Sequence, residues 1–245
     1  MGRAMFGTAQ PLPPIRFWAT LTLLLAGCPR ASTNDRPSTT ASNAETLQWA
    51  MRPGDVLSYD VTLQTVDDST SSTWTFLVDD VGEMESSVSG FNDDVSETQL
   101  QVRPDGRLRS DTDDFAVALT ERAIWCALPR RPVQMGDEWD AAQIARPFLD
   151  LMPSGHGERL QSTATLVSLT RRQGTLTAII DTETSVSLAG RRVLDIRGRT
   201  TFNATAGRLV AQDLHARFIG ESGPDTLDVV VRSVDGLGSG LGGRP

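Results

Sequence analysis

A period-two alternation of apolar and polar residues runs through the C-terminal part of the chain and constrains its fold more than any other feature. Leu176, Ala178, Ile180 and Val186 share one parity; so do Leu194, Ile196 and Phe202, then Val210, Leu214 and Phe218, then Leu227, Val229 and Val231. Side chains alternate across a β-strand, so each set lies on one face of a strand. The runs are separated by "RRQG", "LAGR", "TAG" and "ESGP". Such connections are too short for a crossover and make neighbouring strands antiparallel.

The N-terminal half of the domain carries the same signal more weakly. Leu57, Tyr59, Val61 and Leu63 share a face of one strand, and Trp74, Phe76 and Val78 a face of the next. "ETQLQVRPDGRLRS" reads as strand, Pro-Asp-Gly turn, strand. Between Asp114 and Leu128 an acidic cap candidate precedes Phe115, Leu119 and Ala123 at helical spacing. Residues Ala141 to Met152 suit a shorter helix interrupted at Pro147. The expected fold is mainly β: an antiparallel meander forming a curved sheet or half-closed barrel, with one or two covering helices.

Sheet register keeps the apolar faces together, since a one-residue slip sends every side chain to the wrong side. A three-residue loop at Thr205–Gly207 then places Phe202 opposite Val210, Leu194 opposite Phe218, Arg199 opposite Asp213, Asp195 opposite Arg217 and Arg197 opposite His215. A four-residue "ESGP" loop places Arg232 opposite Asp213 and Asp228 opposite Arg217; pairing around "LAGR" places Asp181 opposite Arg199 and Glu183 opposite Arg197. Opposite charges facing across strands contribute roughly 0.2 to 1 kcal/mol each and penalise slippage. That suffices to explain His215. The rival reading makes His215 a general base oriented by Asp213 or Asp195, but no nucleophile is identifiable beside it, so no catalytic residue is assigned.

Composition excludes several classes. The chain has no lysine, which removes Schiff-base chemistry, the P-loop lysine and Ser-x-x-Lys acylation. A formal net charge of −8 opposes nucleic-acid binding, which needs clustered positive charge. Cys126 in "AIWCALP" reads as a small buried residue. His156 lies between glycines, and the pairs Asp67-Asp68, Asp79-Asp80, Asp93-Asp94 and Asp113-Asp114 lack an EF-hand spacing. No metal or cofactor is expected.

The N-terminus joins a basic stretch from Arg3 to Arg16 to a short apolar run, "FWATLTLLLA", closed by Leu25-Ala26-Gly27-Cys28. This resembles the bacterial lipoprotein signal peptide with its lipobox. The resemblance implies cleavage before Cys28 and lipidation of its sulfur. Residues 1–27 are then the signal peptide, 28–46 the lipidated cysteine and a polar tether, 47–235 the β-rich domain, and 236–245 a glycine-rich tail. Pro29 stands where, under the enteric lipoprotein rule, an aspartate would retain the product in the inner membrane, so the outer membrane is favoured.

"LPRRPVQMGDEWD" at Leu128–Asp140 is similar to a segment of uncharacterised envelope lipoproteins, in which Leu-Pro and Gly-Asp-x-Trp bracket the start of the second half. "MRPGDVLSYD" at Met51–Asp60 repeats the Gly-Asp before an aromatic-bearing strand, which suggests two related halves. The expected function is a non-enzymatic binding or scaffolding domain held at the membrane by its lipid, its partner an envelope protein or polymer. The alternative is a carrier whose apolar concave face, lined by Trp74, Phe76, Leu194, Phe202 and Phe218, takes a lipid or other hydrophobic ligand; the third is a hydrolase using His215. A continuous apolar cavity would favour the carrier, and filling of that face by the 115–127 helix the first reading.

Overall fold

The computed structural model describes residues 44–92, 97–152, 158–220 and 223–234. The signal segment, Cys28, the tether up to residue 43, Asp93-Asp94, His156 and the C-terminal tail lie outside them. The described residues form a single antiparallel sheet. Its N-terminal strands are β1 (Val56–Thr65), β2 (Ser69–Val81), β3 (Ser86–Phe91), β4 (Thr98–Val102) and β5 (Leu108–Ser110). A connecting segment carries α1 (Phe115–Ile124), the two-residue β6 (Glu138–Trp139), a 3-10 turn (Ala142–Ala145) and α2 (Arg146–Asp150). Five long strands follow: β7 (Arg159–Arg172), β8 (Thr175–Leu188), β9 (Arg191–Asn203), β10 (Arg208–Gly220) and β11 (Gly223–Ser233).

The strand order is β5-β4-β3-β2-β1-β11-β10-β9-β8-β7-β6. Every neighbour is also adjacent in sequence, β6 and β7 across the 3-10 turn and α2, except at the centre, where β1 pairs with β11 from Tyr59↔Ser233 to Thr65↔Leu227. The first and last strands therefore stitch two meanders into one sheet. The sheet does not close; β5 and β6 are its edges.

The two halves begin with the same device. In Arg52–Asp55 the Asp55 carboxylate accepts from Arg52 N at 3.1 Å, Asp55 N donates to Arg52 O, and Gly54 N and Val78 N exchange bonds with Val78 O and Asp55 O. In Gln134–Asp137 the Asp137 carboxylate accepts from Gln134 N at 3.1 Å, Asp137 N donates to Gln134 O, and Gly136 N and Leu166 N exchange bonds with Leu166 O and Asp137 O. Gly54 and Gly136 sit at φ 82° and 88°, a region open to glycine at little steric cost. Each turn thus hooks the start of its half onto the second strand of that half, β2 or β7. Asp137→Ala is expected to lower stability by about 1 kcal/mol through the lost turn bond. Asp55→Ala should cost more, because Arg208 Nη2 also loses its acceptor at 2.9 Å; urea midpoints of the two variants check the order.

The helical segment departs from the sequence reading in two places. Asp114 caps α1, its Oδ1 accepting from Val117 N at 3.0 Å, but the helix stops at Ile124 because Trp125 leaves helical space at φ −87°, ψ 64°. Pro147 does not interrupt a helix: it lies in the first turn of α2, where its missing N–H removes nothing and its fixed φ is already helical.

The alternating apolar residues face inward and meet this segment. Trp125, fully buried, stands 4.6 Å from Trp49 and 5.7 Å from Phe76 between ring centroids. Trp49 in turn meets Phe202 edge-on at 5.4 Å. Leu119 and Ala123 of α1 are buried, and the helix packs against β10 and β11. Cys126 is buried and its thiol is pushed up to about 12 by that burial, which makes it a core residue without thiolate character.

Candidate functional site

The polar face of the sheet, opposite the core, carries the charged residues singled out in the sequence. The β8–β9 register is as expected, with Asp181 opposite Arg199 and Glu183 opposite Arg197. So is most of β9–β10: Arg199 faces Asp213, Arg197 faces His215, Asp195 faces Arg217 and Leu194 faces Phe218. Phe202, however, faces Leu209 and not Val210. Asn203 pairs with Arg208, so the connection has four residues, and a bulge between Leu209 and Ala211 absorbs the extra one. Gly207 in this turn has φ 62°, and a Cβ there would fall 2.4 Å from Ala50 N.

The β10–β11 pairing overturns the expectation of a four-residue "ESGP" loop. The strands stay paired down to Gly220↔Gly223, so β11 is displaced by two residues. A two-residue shift keeps every side chain on its own face, but it changes the partners. His215 faces Asp228, Arg217 faces Thr226, Asp213 faces Val230, and Arg232 faces Ala211.

Long arginine side chains then reach diagonally. Arg232 Nη2 donates to Asp213 Oδ1 at 2.6 Å, although their backbones are not opposed. Arg199 donates through Nε and Nη2 to both oxygens of Asp181, at 2.7 and 2.8 Å. These bonds hold the Asp181 carboxyl below the usual carboxylate range. Arg199 is committed to Asp181, so Asp213 is not shared between two arginines as the row pattern implied. Arg192 takes Asp195 at 2.9 Å. Among the described residues Glu183, Arg197 and Arg217 form no ion pair.

His215 Nδ1 lies 2.5 Å from Asp228 Oδ1. With the proton on Nδ1, the imidazole donates to the carboxylate and leaves the Nε2 lone pair outward. Sequence reasoning gave His215 the wrong acidic partner, because the choice between Asp213, Asp195 and Asp228 hung on one hairpin length. The side chains are 53% and 45% exposed, so water screens the pair.

These residues line an open groove of about 480 Å³, together with Asp181, Asp213, Val230 and Gln64 from β1. Gln64 joins because β1 follows β11 in the sheet, with Gln64 opposite Asp228. Among the described residues the lining holds no serine or cysteine, and its threonine, Thr182, is buried. Chemically the groove offers hydrogen-bond acceptors and donors in water: the carboxylates of Asp181, Glu183, Asp213 and Asp228, the guanidinium groups of Arg197 and Arg199, and the His215 imidazole.

The core face differs. Trp74, Phe76, Leu194 and Phe202, expected to line a carrier's cavity, are buried to 3% exposure or less, and Phe218 is half-buried against Phe148 at 5.4 Å. Where the helical segment lies over β8–β10, the space left between Arg122, Gln143, Thr200 and Gln212 is about 20 Å³, room for a single water.

No family model matches the chain, and neither does any curated protein. Solved structures resemble it loosely. A protein of Bacteroides fragilis described as exported, with a YmcC-like fold, has 10% identity and a TM-score of 0.35, covering 77% of this chain and 99% of its own. A DUF1329 family protein from Desulfovibrio piger has 7% identity and a TM-score of 0.21 over 74% and 86%. An outer membrane lipoprotein-sorting protein domain from Vibrio parahaemolyticus has 9% and 0.21 over 75% and 86%. Likenesses this loose carry neither ligand nor partner to this chain.

Proposed function

We propose that the chain is a lipid-anchored domain of the bacterial cell envelope that works by binding, not by catalysis. The distribution of space in the fold carries this reading: the core face is filled by its own aromatic side chains and α1, while the large groove opens on the polar face. A module with a packed interior and an accessible polar surface is suited to holding a partner. The Leu25-Ala26-Gly27-Cys28 sequence and the polar run that follows supply the anchor and tether. More than one acyl chain makes such anchoring stable, at about 0.8 kcal/mol per buried methylene.

Carriage of a lipid would require the inner face to open, and the close ring contacts around Trp125 speak against it. The His215–Asp228 pair is read as part of the cross-strand charge pattern that fixes β10 against β11.

Metabolic labelling with an alkynyl palmitate is expected to mark the full chain, with the label on an N-terminal peptide beginning at Cys28. Cys28→Ser should lose the label and leave the membrane fraction. A labelled Cys28→Ser chain, or an unlabelled natural chain, would overturn the anchor. Phospholipid recovered in equal amount with the chain by native mass spectrometry would favour the carrier instead.

A further inference from the structure

One row of the polar face has a chemistry of its own. Glu183, Arg197, His215, Asp228 and Gln64 face one another in succession across β8, β9, β10, β11 and β1. Four interstrand spacings make this row about 19 Å long, and it runs through the groove of about 480 Å³. The groove is open to solvent along its length, so a ligand there would lie on the sheet and stay partly hydrated. The groove's shape suits an elongated ligand laid across the strands.

The hydrogen-bonding groups left over in the row define what such a ligand must offer. With no ion pair among the described residues, Glu183 presents two acceptor oxygens and Arg197 its guanidinium N–H groups. His215, bound through Nδ1, keeps Nε2, and Asp228 keeps Oδ2. Gln64 can both donate and accept. Carboxylates outnumber guanidinium groups in the lining, which repels a polyanion; Arg197, between Glu183 and His215, breaks the run of acceptors that a chain of positive charges would need. A neutral chain of hydroxyl groups meets both demands, since each hydroxyl donates to a carboxylate as readily as it accepts from a guanidinium. Among the described residues no Trp, Tyr or Phe lines the groove, so affinity comes mainly from hydrogen bonds in competition with water and is weak.

We infer that this row is a binding groove for a neutral polyhydroxylated chain, a glycan. The inference rests on the reading of the domain as a binding module and gives that module its ligand class. The full-length chain, in a zwitterionic detergent free of sugar, is titrated with N-acetylglucosamine tetrasaccharide and with maltotetraose while backbone amide shifts are recorded. A tri-arginine peptide and tripolyphosphate serve as the cationic and anionic comparators.

The expected result is a set of shifts confined to β8–β11 and β1 with at least one saccharide below about 10 mM, the weak end of specific affinity. The isosteric Glu183→Gln and the Arg197→Ala variants should each weaken it about tenfold, the loss of a hydrogen bond to a charged group, with unchanged circular dichroism and urea midpoint. Three outcomes overturn the assignment: no saccharide shifts at that concentration, shifts elsewhere or insensitive to both variants, or binding of the peptide or polyphosphate alone in the row. Failure here with Cys28 acylated removes the glycan and leaves the anchored module. Failure of acylation removes the anchor and leaves the groove.

Discussion

Trp125→Ala is expected to destabilise the domain by about 4 kcal/mol, within the usual cost of truncating a buried large aromatic, visible as a lowered urea midpoint at unchanged slope. Trp125 is the residue on which three parts of the chain converge. It ends α1, stands 4.6 Å from Trp49 of the segment before β1, and meets Phe76 of β2 at 5.7 Å. Trp49 passes the contact on to Phe202 of β9. Removing the indole therefore opens a void between both halves of the sheet and the helix that covers them. One offset is visible: Trp125 Nε1 has no hydrogen-bond partner among the described residues, so truncation also relieves an unsatisfied donor, about 1 kcal/mol. Phe218→Ala, at a half-buried position, should cost about half as much. A loss below about 1 kcal/mol for Trp125→Ala would mean that the inner face is a loosely covered surface and not packed core, and the carrier reading would return with it.

The same contacts explain what the sequence could and could not convey. Parity is a local property, so the inward positions of β1, β2 and β8 to β11 were legible from Leu57 to Val231. Register between adjacent strands depends on loop length as well. It was legible where Gly207 marked the turn, and missed at Val210 because a bulge is invisible to a rule that counts by twos. At β10–β11 the polar run "ESGP" gave no sign that pairing continues to Gly223, and the partner of His215 was lost with it. The β1–β11 junction is the least local pairing of all. No turn announces it, and it alone brings Gln64 into the groove beside Asp228. The repeated Gly-Asp was legible as a pattern, while the identity of its hydrogen bonds in the two halves was not.

Charge rows were legible as rows but not as pairs. Facing positions set which residues are neighbours; the side chain then chooses among them by reach. Arg232 takes Asp213 from two residues away, and Arg199 turns to Asp181 and leaves Asp213. Exposed pairs of this kind contribute little individually, so the rows hold register as sets and not bridge by bridge.

Glu121 is the buried group that no sequence pattern singled out, and its replacement gives the second large effect. It lies on α1 with no exposed surface, and neither carboxyl oxygen has a hydrogen-bond partner among the described residues. Burial pushes its pKa up; the Ser110 and Thr98 hydroxyls and Arg122 act the other way and do not reverse the shift. Neither hydroxyl reaches it in bonding geometry, and Thr98 Oγ1 is itself unpartnered. The folded state thus binds a proton that the unfolded chain releases near the ordinary value of 4.5. Below that pH both states are protonated and stability is insensitive to it. As pH rises above it, stability falls until the raised folded pKa is reached, by at most about 1.36 kcal/mol per pH unit for one proton. Glu121→Met, similar in shape and apolar, removes both the proton linkage and the unsatisfied oxygens. It is expected to stabilise the domain by about 2 kcal/mol or more at pH 8 and by much less at pH 4, measured by urea unfolding at the two values. A gain that does not change with pH would mean that Glu121 is not held protonated in the fold, and a loss at pH 8 would mean that the carboxylate has a partner which anchors α1 to β4 and β5.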